Sequence, residues 1–370
     1  MPVTVRSFAK INLGLRIGAS RADGFHELRT VYQTIALHDV IRVSVKRGTG
    51  IEIRCEDPRV PKDESNTCHR IVERAMAALR ARERVVIEIE KRLPVQGGLG
   101  GASGNAVATL LGLELALKKK LTGTERLRIA AEVGSDSPLF LIGGTVLGVG
   151  RGEEVYPVVD LASVTCVVAL PENGVSTPQA FRDWDLFLGG ACTPARERPQ
   201  GRQLLSSKGE LAELGSAWTG KSARPHMSNP PLIGTQDSSK SKLTATDPSD
   251  RMNELGREFS AWLSSASGVP VSKGRGRAET PLLDLVRTGI ENDFERVVFP
   301  KYPELSEVKS LLQRAGAFYA SLSGSGSATY GLFASRSIAE KAVARLKKAG
   351  VAAVVTSTLT RRQYWKSILD

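Results

Sequence analysis

The chain of 370 residues has few of the side chains that build metal sites or disulfide frameworks. It contains four histidines and four cysteines, and the cysteines Cys55, Cys68, Cys166 and Cys192 are widely spaced without a C-x-x-C pair. This spacing argues against a zinc site and against a disulfide framework. We therefore expect the protein to work in a reducing compartment.

Long hydrophobic runs are also missing. No stretch of 18 apolar residues occurs, and Met1–Lys10 lacks the apolar core of a secretory signal peptide. The sequence therefore predicts a cytoplasmic protein without a membrane partner.

Aromatic residues make up only 5% of the chain. Its formal net charge is +12. A nucleic-acid-binding surface needs clustered basic residues and interleaved aromatic rings. Here the longest basic run is Lys118–Lys120, and the aromatic residues are scattered. The basic excess thus indicates a solvated surface or an anionic small ligand, and we expect no nucleic-acid partner.

The length is typical of about two domains at roughly 100–200 residues each. Between Gly189 and Thr280 lie 92 residues, of which 38 are Gly, Ser, Thr or Pro, with little periodicity. We interpret this segment as a low-complexity surface insertion. Strands and helices interleave in the rest of the chain, which favours an α+β or α/β class.

Strict alternation of apolar residues from Ala9 to Ile17 predicts a strand that places Lys10 and Asn12 on one face. A shorter alternation predicts a strand over Ile41–Lys46. Ser65 or Asn66 is suited to cap the helix that follows it. The other predicted elements are strands at Val85–Glu90, Val164–Leu170, Phe318–Leu322, Thr329–Phe333 and Val351–Ser357, helices at Ala106–Leu117, Thr124–Val133, Pro303–Arg314 and Ser337–Ala349, and a further element at Pro281–Thr288. Gly134 is expected at the C′ position after the second of these helices.

Residues Gly215–Ser222 match the G-x4-G-K-[ST] pattern of a phosphate-binding loop, but their context does not fit one. Such a loop needs a buried strand before it and a helix after it. No β-branched run precedes the motif, and Pro225, Pro230 and Pro231 follow it within nine residues. We therefore reject it as a nucleotide site.

A stronger glycine loop lies at Pro94–Asn105, with four glycines within five residues, between a predicted strand and a predicted helix. Closely spaced glycines let backbone amides approach anionic oxygens, and the helix N-terminus adds partial positive charge. This pattern favours phosphate binding over a plain tight connection.

Asp136, in the segment Gly134–Pro138, has two interpretations. It is either the N-cap of a short helix with Pro138 in its first turn, or the carboxylate of a phosphoryl-transfer site. In the second case Lys10 is suited to supply the accompanying cation. The alternative for Lys10 is a solvated lysine on a strand face.

Two further loops carry binding chemistry. In Arg21–His26, the Phe25 ring and the His26 imidazole are suited to stack on and hydrogen-bond a base, although a lone histidine is more often structural. The segment Ser321–Ser327 is a second glycine–serine turn, for which a flexible hairpin loop is the alternative.

In order along the chain, these segments resemble the GHMP kinase superfamily. The resemblance spans nearly the whole chain except 189–280. It rests on Ala9–Leu13, Arg21–His26, Lys91–Pro94, Gly98–Gly101, Gly134–Pro138, Ser176–Phe181, Glu291–Asp293 and Leu322–Gly326.

The resemblance implies a two-domain α+β fold. An N-terminal ATP-binding domain, residues 1–160, would share its fold with a ribosomal-protein domain, and residues 161–370 would form a ferredoxin-like domain containing the insertion. It also implies ATP-dependent phosphorylation of the 2-hydroxyl of a methylerythritol unit in a cytidine diphosphate conjugate, a step in isoprenoid-precursor synthesis. The enzyme would be a monomer or a homodimer.

The resemblance also implies roles for individual residues. Asp136 would orient or deprotonate the hydroxyl, with Lys10 as its partner. The substrate would contact Asn12 and Thr177, with its cytosine between Phe25 and Phe181 and its polar edge on His26. ATP would be bound by Asn66 and Lys91 at the adenine and by Pro94, Gly97, Gly98, Leu99, Gly100, Gly101, Ala102 and Ser103. Mg²⁺ is expected with ATP, and Ser103 is the one candidate ligand.

The chain departs from the family pattern in two places. Phe25 replaces the usual tyrosine, which keeps stacking and removes a hydroxyl. Ala102 and Gly104 alter the glycine loop, so that one hydroxyl with an expected phosphate or metal contact is missing. Another small-molecule kinase of the superfamily, such as a homoserine or mevalonate kinase, and a nucleic-acid-binding protein remain the rival interpretations.

Overall fold

A computed structural model describes residues 2–171, 174–191 and 291–369 of the chain. The described residues up to Leu188 and those from 291 onward belong to one compact unit. From Cys192 onward the predicted insertion lies outside the described residues, as do the motif at Gly215–Ser222 and the predicted element at Pro281–Thr288. The domain boundary at 160/161 stays a prediction.

Two long antiparallel strands, β1 (Val3–Ser20) and β2 (His26–Lys46), form the first half of the site's scaffold. Their register sets Lys10 opposite Thr34 and Asn12 opposite Tyr32. Lys10 and Asn12 are only 3% and 1% exposed, so the interpretation of Lys10 as a solvated strand lysine is wrong. The second strand is far longer than the predicted Ile41–Lys46, because most of it is buried on both faces and therefore lacks alternation.

Four shorter strands complete this first sheet: β3 (Ile51–Cys55), β4 (Arg84–Glu90), β5 (Thr145–Val149) and β6 (Glu154–Pro157). The strand order is β3-β4-β2-β5-β6, with β1 also paired to β2. Three helices pack their apolar side chains against it: α1 (Thr67–Ala78), α2 (Gly101–Leu117) and α3 (Gly123–Val133). A short 3-10 helix, Pro138–Leu141, follows α3.

The helix ends confirm one predicted cap and correct another. Asn66 is the N-cap of α1, and its side chain accepts a hydrogen bond from the backbone amide of Cys68. Gly134 ends α3 with φ −174°, which is extended backbone and not the left-handed C′ conformation expected for it. The chain therefore leaves α3 extended and runs directly into Asp136.

The second sheet has the order β10-β7-β9-β8 with every pairing antiparallel. Its strands are β7 (Thr165–Leu170), β8 (Tyr319–Leu322), β9 (Thr329–Phe333) and β10 (Ala352–Ser357). The described helices of this half are α4 (Thr177–Ala191), α5 (Glu295–Lys301), α6 (Pro303–Arg314), α7 (Arg336–Lys348) and α8 (Arg361–Ser367). This strand order is that of a ferredoxin-like unit and confirms the predicted α+β class.

Contacts with β1 bring the second half of the chain to the residues around Lys10. The Tyr330 hydroxyl donates to the carbonyl of Asn12 at 2.7 Å, and the backbone amide of Ile17 donates to the buried carboxylate of Asp293 at 2.9 Å. The strand that carries Lys10 is thus held from both halves of the chain. Among the described helices, none has the length and apolar character that a membrane crossing requires.

Candidate active site

Every residue that the sequence analysis assigned to catalysis, ATP or substrate lines one cleft of about 810 Å³. These residues are Lys10, Asn12, Phe25, His26, Asn66, Lys91, Pro94, Gly97, Gly98, Leu99, Gly100, Gly101, Ala102, Ser103, Asp136, Thr177 and Phe181. The structure thus brings them all together, and their individual roles stay predictions.

Lys10 and Asp136 meet at the floor of this cleft. The Lys10 Nζ atom is 3.3 Å from Asp136 Oδ2 and donates to Asn12 Oδ1 at 2.7 Å. The Asn12 amide nitrogen in turn donates to Thr30 Oγ1, so both polar atoms of Asn12 are engaged within the protein. Asn12 therefore orients the lysine ammonium, whatever further contact it makes with a substrate.

Asp136 is not a helix N-cap. The 3-10 helix that follows is capped at Ser137, and the Asp136 carboxylate bonds to Lys10 and to the Tyr32 hydroxyl. Its side chain is 32% exposed, whereas that of Lys10 is 4% exposed. The carboxylate therefore faces the cleft with an ammonium group beside it, and it is accessible to a bound hydroxyl, as a general base has to be.

The glycine loop approaches neighbouring backbone too closely for side chains. Gly98 has φ +72°, and a Cβ there would lie 2.1 Å from the Ser323 carbonyl oxygen. Gly100 has φ +70°, and a Cβ there would lie 3.0 Å from Lys10 Cγ. The loop is thereby set against Lys10, whose backbone amide donates to the Leu99 carbonyl.

The first turn of α2 opens onto the cleft at the end of this loop. Its N-cap, Gly100, offers no side-chain hydrogen bond, so the first-turn amides stay available to an anion. Gly104 lies away from the cleft, since a Cβ there would be 2.9 Å from Ser7 Oγ and 3.0 Å from the Phe8 carbonyl. The hydroxyl that this chain lacks at position 104 would therefore face β1, not a ligand.

Lys91 is held beside the loop by a residue that the sequence analysis missed. Asp39 is fully buried, and its Oδ2 atom is 2.5 Å from Lys91 Nζ. The same carboxylate accepts hydrogen bonds from the backbone amides of Arg92 and Leu93 and from the side chain of Asn105. Nothing in its local sequence marks Asp39, because its partners are more than 50 residues away.

The turn after β8 is anchored, so the alternative of a flexible hairpin loop is wrong. The Ser323 hydroxyl donates to the Gly98 carbonyl at 2.9 Å, and the buried Asn292 side chain donates to the carbonyls of Leu322 and Gly324. Ser325 Oγ lies 2.7 Å from Thr177 Oγ1 at the start of α4. This turn joins the glycine loop to the predicted substrate side of the cleft.

His26 and Phe181 form a parallel, offset pair. Their ring planes differ by 10° and their centroids are 5.1 Å apart, while Phe294 contacts Phe181 edge-on. Because the imidazole is offset, it covers only part of that face of Phe181. A base stacked on the uncovered part of the Phe181 ring would be coplanar with the imidazole. Its edge would then face the edge of the imidazole.

Asp185 fixes how His26 presents that edge. His26 Nε2 is 2.8 Å from Asp185 Oδ1, and a carboxylate only accepts hydrogen bonds, so Nε2 carries the hydrogen. In the neutral imidazole, Nδ1 is then a hydrogen-bond acceptor. The sequence analysis missed Asp185, although it lies four residues after Phe181 on the same helix, a spacing that places both on one face.

Phe25 is 48% exposed at the mouth of the cleft. The guanidinium carbon of Arg151, another residue not identified from sequence, lies 4.9 Å from the ring centroid. Arg151 is fixed by Glu153, to which its Nε donates at 2.9 Å. The cation supports one face of Phe25, a ring that has no hydroxyl for a hydrogen bond.

The far end of the cleft is built around Asn66. The side-chain amide nitrogen of this residue donates to the Pro61 carbonyl at 2.6 Å, while its oxygen caps α1. Each polar atom thus makes one hydrogen bond within the protein, and the amide nitrogen keeps a second N–H for the predicted adenine contact.

Charge in the cleft is predominantly positive. The cationic lining residues are Lys10, Arg59, Lys91, Arg151 and Arg182, against the carboxylates of Asp136 and Asp185. A lining of this sign favours a polyanionic ligand.

In the described part of the chain, no three His, Cys, Asp or Glu residues cluster as a metal cage would require. Mg²⁺ that is carried on nucleotide phosphates needs only one or two protein ligands. The Ser103 hydroxyl, which lines the cleft in the first turn of α2, is suited to be one such ligand.

Comparison with known proteins identifies two family models. The model described as the GHMP kinases N terminal domain matches residues 66–144, and the one described as GHMP kinases C terminal matches residues 279–352.

Curated relatives match over most of their length. A protein of Solibacter usitatus named 4-diphosphocytidyl-2-C-methyl-D-erythritol kinase is 31% identical over 92% of this chain and 84% of its own. A protein of the same name from Acaryochloris marina is 32% identical over 94% of this chain and 92% of its own.

Solved structures agree in fold. A crystal structure of a 4-(cytidine 5'-diphospho)-2C-methyl-D-erythritol kinase has a TM-score of 0.61 and 24% identity, covering 96% of this chain and 98% of its own. The homoserine kinase of Cytophaga hutchinsonii also has a TM-score of 0.61, with 18% identity over 97% of this chain and 95% of its own.

Proposed function

The chain belongs to the family of 4-diphosphocytidyl-2-C-methyl-D-erythritol kinases, and from this premise we propose the reaction that its cleft performs. It transfers the γ-phosphoryl group of ATP to the 2-hydroxyl of 4-diphosphocytidyl-2-C-methyl-D-erythritol, a step in isoprenoid-precursor synthesis. The observation that carries the proposal is the Lys10–Asp136 pair, which lies between a glycine loop and an aromatic–histidine pocket in one cleft. The chain is thus a small-molecule kinase of the GHMP type.

The glycine loop and the first turn of α2 bind the phosphates of ATP through backbone amides. Lys91 and Asn66, which line the same cleft, contact the adenine. Ser103 is the residue suited to hold the Mg²⁺ that would accompany ATP, and the ion would neutralise charge on the phosphates.

The cytosine binds on the part of Phe181 that His26 leaves uncovered, and Phe25 lies at the mouth of the same pocket. His26 Nδ1, the acceptor set by Asp185, accepts a hydrogen bond from the exocyclic amino group of cytosine. Uracil carries a carbonyl oxygen at that position, and an acceptor facing an acceptor is unfavourable. Thr177 lies where it can contact the diphosphate.

Transfer needs few covalent steps from the protein. The substrate hydroxyl oxygen bonds to the γ-phosphorus, the bond from that phosphorus to the bridging oxygen breaks, and ADP leaves. Asp136 accepts the hydroxyl proton, while the Lys10 ammonium stabilises negative charge on the reacting oxygens. Positioning and electrostatic stabilisation supply most of the acceleration in such reactions.

A homoserine or mevalonate kinase shares this fold and stays the rival within the enzyme class. Neither homoserine nor mevalonate contains a base. The buried His26, its bond to Asp185 and its ring stacked on Phe181 would have no function toward them.

A substrate panel tests the proposal. The purified protein with ATP and Mg²⁺ is given the cytidine conjugate, homoserine or mevalonate, and ADP release is measured. We expect turnover on the cytidine conjugate alone. Turnover on homoserine or mevalonate, with none on the conjugate, would overturn the proposal.

A further inference from the structure

Tyr32 contacts both members of the Lys10–Asp136 pair. Its hydroxyl donates to Asp136 Oδ1 at 3.0 Å, and its ring centroid is 5.6 Å from Lys10 Nζ. The side chain is buried, at 2% exposure, on the strand position opposite Asn12. One phenol thus supports the carboxylate and the ammonium together.

The backbone around β5 leaves a slot for this ring. A Cβ at Gly148 would lie 2.4 Å from Tyr32 Cε2, and a Cβ at Gly152 would lie 2.5 Å from the Tyr32 hydroxyl oxygen. Gly148 therefore leaves space for the Tyr32 ring, and Gly152 leaves space for its hydroxyl. The position of the hydroxyl is set by the fold and not only by its hydrogen bond.

The hydroxyl also keeps its proton at any working pH. Burial, followed by the nearby Asp136 carboxylate, raises the pKa of Tyr32 well above its ordinary value of 10.0. Tyr32 is consequently a permanent hydrogen-bond donor to Asp136, and it does not compete for the substrate's proton.

We propose that Tyr32 is a positioning residue for phosphoryl transfer, an inference that rests on the kinase function proposed above. Its hydroxyl occupies Asp136 Oδ1 and thereby turns Oδ2 toward Lys10 and the substrate hydroxyl. Without that bond, a carboxylate that is one-third exposed rotates freely into the cleft, and fewer bound substrates meet it in the reactive geometry.

The variant Tyr32→Phe removes only the hydroxyl. We expect kcat to fall about tenfold, which corresponds to the loss of one charge-assisted hydrogen bond, while KM for ATP and for the cytidine substrate changes less than about threefold. Tyr364→Phe is the matched control, because Tyr364 is equally buried and its hydroxyl donates to the Phe140 carbonyl at 2.7 Å. This control should lower the melting temperature as much as Tyr32→Phe does and leave kcat within about twofold.

A double-mutant cycle separates positioning from a general structural effect. Gly152→Ala should displace the Tyr32 hydroxyl and lower kcat, and its backbone at φ +101° adds a cost that does not depend on Tyr32. In a Tyr32→Phe background the same substitution should lower kcat clearly less than in the wild-type background, since the atom it meets is gone. Additive losses, or a Tyr32→Phe enzyme within twofold of wild-type kcat, would overturn the role of Tyr32. Wild-type turnover is measured first, and its absence would overturn the proposed function instead.

Discussion

Lys10 shows what a single residue needs in order to act in this cleft. An ammonium group that is 3% exposed is costly unless it is paired and hydrogen-bonded. The Asn12 amide and the Asp136 carboxylate meet that need, and they fix the direction in which the charge points. The same contacts that stabilise the buried lysine therefore also fix the direction of its ammonium group, which we propose faces the reacting oxygens.

Asp185→Ala should weaken the preference for cytosine without stopping catalysis. Loss of the carboxylate frees the His26 imidazole to place its hydrogen on either nitrogen, so that Nδ1 can also donate to the carbonyl of uracil. We expect the ratio of kcat/KM for cytidine over uridine conjugates to fall about tenfold or more, which is typical for one discriminating hydrogen bond.

Asp183→Ala is the control for this measurement. Asp183 lies on the same helix but bonds to Lys301 and Gln179 instead of His26. The ratio should stay at its wild-type value in this variant. An unchanged ratio in Asp185→Ala as well would show that Asp185 does not set base selectivity.

At the scale of elements, sequence reasoning succeeded where a local pattern determines the structure. The glycine loop, the cap at Asn66 and the helix at Pro303–Arg314 were all predicted from residues within a few positions of one another. The strand β2 was mostly missed because burial on both faces removes the alternation that identifies a strand.

The residues of the candidate site likewise include some with a local sequence signal and some without one. Lys10, Asp136 and the glycine loop carry motif signals, and the structure places them in one cleft. Tyr32 and Asp39 act through partners 104 and more than 50 residues away, so only the folded register reveals them. Local sequence contains no information about such pairs.

Gly98→Ala should disrupt the packing of the glycine loop against the turn after β8. An added Cβ would overlap the Ser323 carbonyl oxygen at 2.1 Å and would hold a left-handed backbone conformation. We expect ATP affinity to fall at least tenfold and the melting temperature to drop by several degrees, as measured by calorimetry and thermal unfolding.

Gly48→Ala is the matched control, because Gly48 has φ +106° but nothing within 4 Å of an added Cβ. In Gly48→Ala, the free energy of unfolding should therefore fall only by the roughly 1 kcal/mol that this backbone conformation costs a residue with a Cβ. Equal melting temperatures and equal ATP affinity for the two variants would contradict the close approach of the two loops.

At the scale of the whole molecule, the net charge is +12, and the basic side chains of the described residues lie in two kinds of place. Cations in the cleft face two polyanionic substrates, while many others on the first sheet pair with carboxylates on neighbouring strands. The basic side chains of the described residues therefore fit an enzyme that binds anionic nucleotides.

The surface pairs predict how stability depends on pH. Hydrogen bonds from Arg54 and Arg84 lower the pKa of Glu52, and those from Arg59 lower the pKa of Asp57 to about 2. A carboxylate whose pKa is lower in the folded state stabilises the fold above its unfolded pKa and loses that contribution as the pH falls. The melting temperature should be flat from about pH 7 to 5 and should fall below about pH 4.

Salt provides the control for this pH dependence. The arginines of these pairs are exposed and the carboxylates partly so, and about 1 M NaCl should therefore weaken the pairs and reduce the fall at acid pH. A melting temperature that stays constant from pH 5 to about pH 2 would contradict this account of the surface pairs.

The kcat of Asp136→Asn shows most directly whether Asp136 and Lys10 promote phosphoryl transfer to a cytidine conjugate. The asparagine keeps the shape and the oxygen that Tyr32 contacts but cannot accept the proton. With ATP, Mg²⁺ and 4-diphosphocytidyl-2-C-methyl-D-erythritol, we expect kcat to fall about 10²–10⁴-fold while the Kd for ATP stays within about twofold. A variant that turns over within tenfold of wild type would contradict this role of the pair.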